Sequence, residues 1–65
     1  MKLKEFNFNA LKNSFIAING LCIMKDGKVV EEGFIGEVLR KIPEEFAELE
    51  IKDERTFFDI YVIEL

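Results

Sequence analysis

The sequence predicts an α+β domain: a small antiparallel sheet of three to five strands with one or two short helices on one face. Three observations carry this. Asp26-Gly27 lies between two segments of strand formers, "LCIMK" and "KVVEE", which is a strong local hairpin signal. From Gly36 onward, Val38, Leu39, Ile42, Phe46 and Leu49 fall at helical spacing. The chain then closes on "TFFDIYVIEL", rich in aromatic and β-branched residues. With 65 residues, the span 1–65 is read as one small domain.

The first segment supports two readings. Glu5 to Ala10 alternates polar and apolar residues, as a strand does, while Leu3, Phe6 and Ala10 share a helical face, with Leu11 beside them. Residues 3–12 are therefore helix or strand on period alone. Ser14 to Met24 is rich in strand formers, and Asn19-Gly20 within it is either a two-residue turn or a bulge. Gly33 ends the second hairpin strand or bulges it. Glu37 precedes Arg40 and Lys41 by three and four residues, the favourable order for helix pairs. Pro43 breaks that helix or opens a second one, and Glu44 and Glu45 then sit in its first turn, where carboxylates favour the helix dipole. "LEIKDERTFFDIYVIEL" reads as two strands about a turn near Asp53-Glu54-Arg55.

Composition narrows the function classes. A chain this short has a thin stability margin, and it holds one cysteine, Cys22, so no internal disulfide supplies more. With no histidine and no second thiol, a zinc site is not expected. A partner chain is the expected source of any extra stability. The lone thiol fits a reducing, cytoplasmic setting. No signal peptide is read at the start, and the uncharged stretch Ser14–Met24 is too short to cross a bilayer.

The net charge of −4 is unevenly placed. Residues 1–30 hold five lysines against Glu5 and Asp26, a balance of +3; residues 31–65 hold eleven acids against Arg40, Lys41, Lys52 and Arg55, a balance of −7. Acidic surface repels phosphate backbones, so direct nucleic-acid binding is not expected, while a basic protein surface is a compatible partner.

The constellations that carry chemistry are weak. Ser14, Thr56 and Cys22 are the available nucleophiles, no histidine stands beside any of them, and Cys22 falls in an expected strand as a small apolar residue. Glu31 and Glu32 are neighbours on a strand and point to opposite faces; Glu44 and Glu48 share a helical face but lack calcium-loop spacing. Gly33-Phe34-Ile35-Gly36 has the form of a phosphate loop, yet Glu31, Glu32 and Glu37 flank it. Phe57, Phe58 and Tyr61 would serve as base-stacking platforms only in a positive groove, and this half of the chain is acidic. No enzyme activity, cofactor or metal is expected.

In the last strand, Phe58, Ile60 and Val62 point one way, and Phe57, Tyr61, Ile63 and Leu65 the other. With Asp59 on the second of these, both faces are still largely apolar, which is typical of a strand covered on both sides. Two helices cover one face. The other is then an interface, with another protein or with a second copy, unless the amino-terminal segment crosses it. The expected partner-binding set is Phe57, Tyr61 and Ile63 at the centre and Glu44, Glu45 and Glu48 at the rim. The first function reading is a small acidic protein-binding module; a structural homo-oligomer such as a homodimer, and a nucleotide-binding oligomer with its pocket between subunits, are the alternatives.

The order "MKLKEF", "DGKVVEEGFIGEV", "IPEEF" and a terminal "DIYVIEL" resembles very short uncharacterised proteins of Gram-positive phages and conjugative mobile elements. The resemblance implies helix, hairpin with a glycine at the strand end, a second helix and closing strands. It tilts residues 3–12 toward helix and implies a mobile-element origin; with that origin, the protein-binding reading becomes a modulator or inhibitor of a host protein. It carries no active site. "NFNALKNS" and the longer "GEVLRK" helix depart from the pattern.

Overall fold

A computed structural model describes residues 1–13 and 17–65, with the backbone alone at Lys12. The strand reading of residues 14–16, and Ser14 as a nucleophile, lie outside the described residues. The described chain forms a 3-10 helix at Leu3–Glu5, α1 at Asn9–Lys12, β1 at Gly20–Lys25, β2 at Lys28–Phe34, α2 at Ile35–Lys41, a second 3-10 helix at Glu44–Glu48, β3 at Asp53–Phe57 and β4 at Ile60–Glu64. The four strands make one sheet in the order β2-β1-β4-β3. This is a small α+β fold.

The sheet is mixed, where antiparallel pairing throughout was expected. β1–β2 and β3–β4 are antiparallel hairpins, but the central β1–β4 pair is parallel. Parallel neighbours need a long connection. The stretch from β2 through α2 and the second 3-10 helix supplies it, and inserts the second hairpin beside the first.

The β1–β2 turn is Asp26-Gly27, both with positive φ (54° and 77°), as the expected two-residue hairpin turn requires. One strand then slips by a residue. Ile23 pairs with Glu31 but Met24 with Val29, so Val30 is a bulge. Gly33 lies inside β2, opposite Leu21, at φ 152°. A Cβ there would make only ordinary contacts, 3.5 Å from Glu37 Oε2 and 3.9 Å from Val38 Cγ2; it is the φ of 152° that favours glycine where the strand ends and α2 begins.

α2 buries Ile35 and Val38 and ends at Ile42, whose N–H donates to the Val38 carbonyl (2.9 Å) just before Pro43. The segment after Pro43 is 3-10, not α; its apolar side still packs inward through Phe46, followed by Leu49. The amino-terminal segment takes the helical reading. Leu3 N–H donates to Leu49 O, and Ile51 N–H to Met1 O, both at 2.9 Å, which ties this segment to the chain that follows the second 3-10 helix.

The second hairpin turns at Phe58-Asp59, not near Asp53-Glu54-Arg55. Phe57 pairs with Ile60 across it, and Phe58 holds φ 56°, a strained conformation for a bulky side chain. The turn carries no glycine or asparagine, but it is anchored from outside. The Asp59 carbonyl accepts N–H bonds from Asn19 (3.0 Å) and Gly20 (3.1 Å), the start of β1.

The core lies between one sheet face and the helical segments. Leu21, Ile23, Ile63 and Leu65 point to it from the sheet, Ile35 and Val38 from α2, and Leu3, Leu11 and Ile18 from the first part of the chain. Leu21, Ile23, Val38 and Ile63 are the largest fully buried side chains. Each contributes about 1.5–3 kcal/mol by leaving water.

Candidate docking surface

The alternation of side chains along paired strands gives the sheet an outer face opposite the core. Cross-strand pairing arranges it in rows. Phe34, Gly20, Ile60 and Phe57 form one row from β2 to β3, and Glu32, Cys22, Val62 and Arg55 form the next. Arg55 also reaches Met24 Sδ (3.8 Å), which belongs to the same face. No helix covers these rows among the described residues.

The first row is apolar and wet at its edges. Phe34 is 68% exposed and Phe57 63%, while Ile60 between them is 37% exposed. Phe58, at the hairpin tip, is 80% exposed and meets Phe57 edge to face, ring centroids 4.6 Å apart. Three rings at these exposures leave about 400 Å² of aromatic surface in water, within the range of the largest apolar patch of a monomer, which is often functional. In the second row Cys22 and Val62 are buried by their neighbours. Burial raises the Cys22 thiol pKa, and nearby Glu32 adds to the rise.

Among the described residues, two hollows open on this face. One, of about 490 Å³, lies between Phe34 and Ile60 over Gly20 and is bordered by Glu32, Glu37 and Asp59. The missing side chain of Gly20 makes room there: a Cβ would stand 3.1 Å from Ile60 Cγ1. The other, of about 410 Å³, lies over Cys22 and Val62, bordered by Phe57, Met24 and Arg55. Arg55 is held by Asp53 (2.7 Å) and Glu64 (3.6 Å), and the Asp53 hydrogen bond leads in raising its pKa.

The structure separates the residues that the sequence grouped as one binding set. Phe57 is on the outer face, as a surface residue. Ile63 is fully buried in the core and has no surface role. Tyr61 is half-buried on the inner face, where the amino-terminal segment covers it: its ring lies 5.5 Å from that of Phe6, and Phe6 meets Phe8 at 4.7 Å with the rings tilted. Burial, with a hydrogen bond to Glu54, pushes the Tyr61 phenol up to about 12. The face expected to be open is therefore the core, and the open face is its opposite. The offset at Phe58-Asp59 explains the exchange: Phe57 and Tyr61 belong to different strands, so their odd numbering does not put them on one face.

Glu44, Glu45 and Glu48 are exposed, but on the 3-10 helix whose apolar side, through Phe46, packs on the inner core. They do not rim the Phe57 face. Glu48 receives Lys4 Nζ (2.7 Å) and Lys2 Nζ (3.1 Å), and these hydrogen bonds, Lys4 first, lower its pKa. It fastens the two 3-10 helices to each other. The residues that sequence reasoning did not assign to a site are Phe34, Ile60, Val62, Glu32, Glu37 and Asp59. A signal for Phe34 was present, since it follows Gly33 at the end of a hairpin strand, but its face depends on the Val30 bulge.

Among the described residues, no group of three His, Cys, Asp or Glu side chains is placed to hold a metal ion, and no helix is long and apolar enough to cross a membrane. Comparison with protein-family models, with curated proteins and with solved structures found no match.

Proposed function

We propose that this chain is a small non-enzymatic protein-binding module that docks a partner on the outer face of its sheet, in the manner of a mobile-element modulator of a host protein. The observation that supports it is the exposed aromatic row Phe34–Ile60–Phe57 with Phe58 beside it. Interfaces concentrate their energy in a few aromatic anchors, and here buried Cys22 and Val62 lie in the row beside them. The hollow between Phe34 and Ile60 offers an anchor from the partner a place to sit. The role sits with β1, β2, β3 and β4 together, so it needs no catalytic group.

The test is affinity capture from bacterial lysate with the wild-type chain, a Phe34→Ala/Phe57→Ala variant and a Glu44→Gln/Glu45→Gln variant, read by quantitative mass spectrometry. The expected result is a saturable partner retained by the wild type and by the Glu44/Glu45 variant but lost from the Phe34/Phe57 variant. A partner retained equally by all three would place docking elsewhere.

A further inference from the structure

The charges around the outer face say what chemistry its occupant carries. The hollow beside Phe34 is bordered by Glu32, Glu37 and Asp59. Among the described residues, no cation lies within ion-pair distance of any of the three. Some other acids are matched: Glu48 by Lys2 and Lys4, Glu50 by the amino terminus, Asp26 by Lys25, Asp53 and Glu64 by Arg55. Glu5, Glu31, Glu44, Glu45 and Glu54 are likewise without a cation among the described residues, but they do not border the hollow. Arg55, the cation of the outer rows, is thus already engaged by two carboxylates, and the face as a whole is acidic. A second copy of the chain would bring carboxylates toward carboxylates across an apolar contact, which costs free energy as the contact dries.

We infer that the outer face receives a basic segment of another protein, with a lysine or arginine side chain entering the hollow between Phe34 and Ile60 and an apolar side chain lying on Phe57. This rests on the docking reading above. The hollow fits such a group in three ways. Its volume of about 490 Å³ exceeds that of one long side chain. The Phe34 ring offers a face to a cation, and the aliphatic stem of lysine or arginine finds Ile60 and the Gly20 backbone. The carboxylates of Glu32, Glu37 and Asp59 are spread around the mouth and not gathered on one point, which suits a side chain with several N–H donors better than a bare ion. The same charges exclude a phosphate backbone as the occupant.

The experiment is a display selection from a random peptide library on the immobilised full chain. The best enriched peptide is then titrated in solution against the wild type, Glu32→Gln/Asp59→Asn and Phe34→Ala/Phe57→Ala, each checked for fold by circular dichroism. The expected result is enrichment of peptides in which lysine or arginine neighbours an aromatic or aliphatic residue. Their affinity falls with salt and drops at least about tenfold in Glu32→Gln/Asp59→Asn, the scale of lost hydrogen bonds to charged groups. Enriched peptides without basic bias, bound equally by Glu32→Gln/Asp59→Asn but lost from Phe34→Ala/Phe57→Ala, would overturn the basic partner and leave the docking face standing. If no peptide is enriched and the chain sediments as a dimer that Phe57→Ala dissociates, the occupant is a second copy and the inference fails. Enrichment that survives Phe34→Ala/Phe57→Ala would overturn the docking reading as well.

Discussion

Two truncations on neighbouring strands of one sheet should differ sharply, because one removes core and the other removes surface. Ile63 is fully buried among Leu21, Ile23 and Val38, and Phe57 is 63% exposed on the opposite side of the sheet. Ile63→Ala removes three carbons from the core. At about 0.8 kcal/mol per methylene the transfer cost is about 2.4 kcal/mol, and the cavity left behind brings the loss to about 3–4 kcal/mol. Phe57→Ala withdraws only the third of a ring that water does not already reach, worth about 1 kcal/mol. The whole fold holds about 3–10 kcal/mol by the usual scale per residue, so Ile63→Ala takes a large share of it. In urea denaturation followed by circular dichroism, with a slope of about 1 kcal/mol per molar for a chain this small, the midpoints should fall by about 3 M and about 1 M. If Ile63→Ala is unfolded without urea, Ile63→Val gives the same contrast at about 1 kcal/mol against Phe57→Val. A Phe57 truncation as costly as that of Ile63, or a neutral Ile63→Val, would refute the assignment of inner and outer faces.

Three further outcomes follow from single features. Gly27 has φ 77° with open space around its α-carbon, so Gly27→Ala should cost about 1 kcal/mol from backbone conformation alone, measured by the same denaturation; a neutral result would mean the turn relaxes. Phe58 holds φ 56° while its ring is in water, so Phe58→Asn should raise stability by about 1 kcal/mol yet weaken partner binding, and opposite signs in the two assays are the readout. Glu48, held by Lys4 and Lys2, has a lowered folded-state pKa, so its contribution is present above the ordinary glutamate range and is lost as pH falls through the lowered value. The difference in thermal midpoint between the wild type and Glu48→Gln should therefore be full at neutral pH and close as the pH drops below about 4; a gap that widens on acidification would contradict the pairing.

The elements with local causes were legible in the sequence. Asp26-Gly27 specified its turn because both residues accept positive φ. Val38 and Ile42 specified the buried side of α2 and Pro43 its end; Leu39, read on the same side, is exposed, and Ile35, which the reading left out, is buried in its place. The two features that decide which face is open were not legible, since each depends on distant contacts. The Phe58-Asp59 turn has no permissive residue at Phe58, where φ is positive; it is anchored by the Asp59 carbonyl, which accepts N–H bonds from Asn19 and Gly20 some forty residues earlier. The Val30 bulge likewise shifts the register by one. Continued from the Lys25–Lys28 pair without a bulge, the hairpin would set Gly20 against Gly33; with it, Gly20 faces Phe34 and Cys22 faces Glu32. The parallel β1–β4 pairing belongs to the same class, because no local pattern states which strand a returning hairpin will join. In β4 itself, Ile60 and Val62 face outward and Tyr61 and Ile63 inward, and α2, the second 3-10 helix and the amino-terminal segment together cover the Tyr61 and Ile63 side.

The central claim is that the outer sheet face meets the partner while the inner face stays a core. The most direct measurement is ¹⁹F NMR of the chain with 4-fluorophenylalanine at its phenylalanines, titrated with the captured partner or the selected peptide. Phe34, Phe57 and Phe58 report on the outer face, and Phe6, Phe8 and Phe46 on the covered side. The account predicts that the first three resonances shift or broaden in a saturable way and that the second three hold their positions. Movement of the Phe6, Phe8 and Phe46 resonances with the outer three unchanged would contradict it.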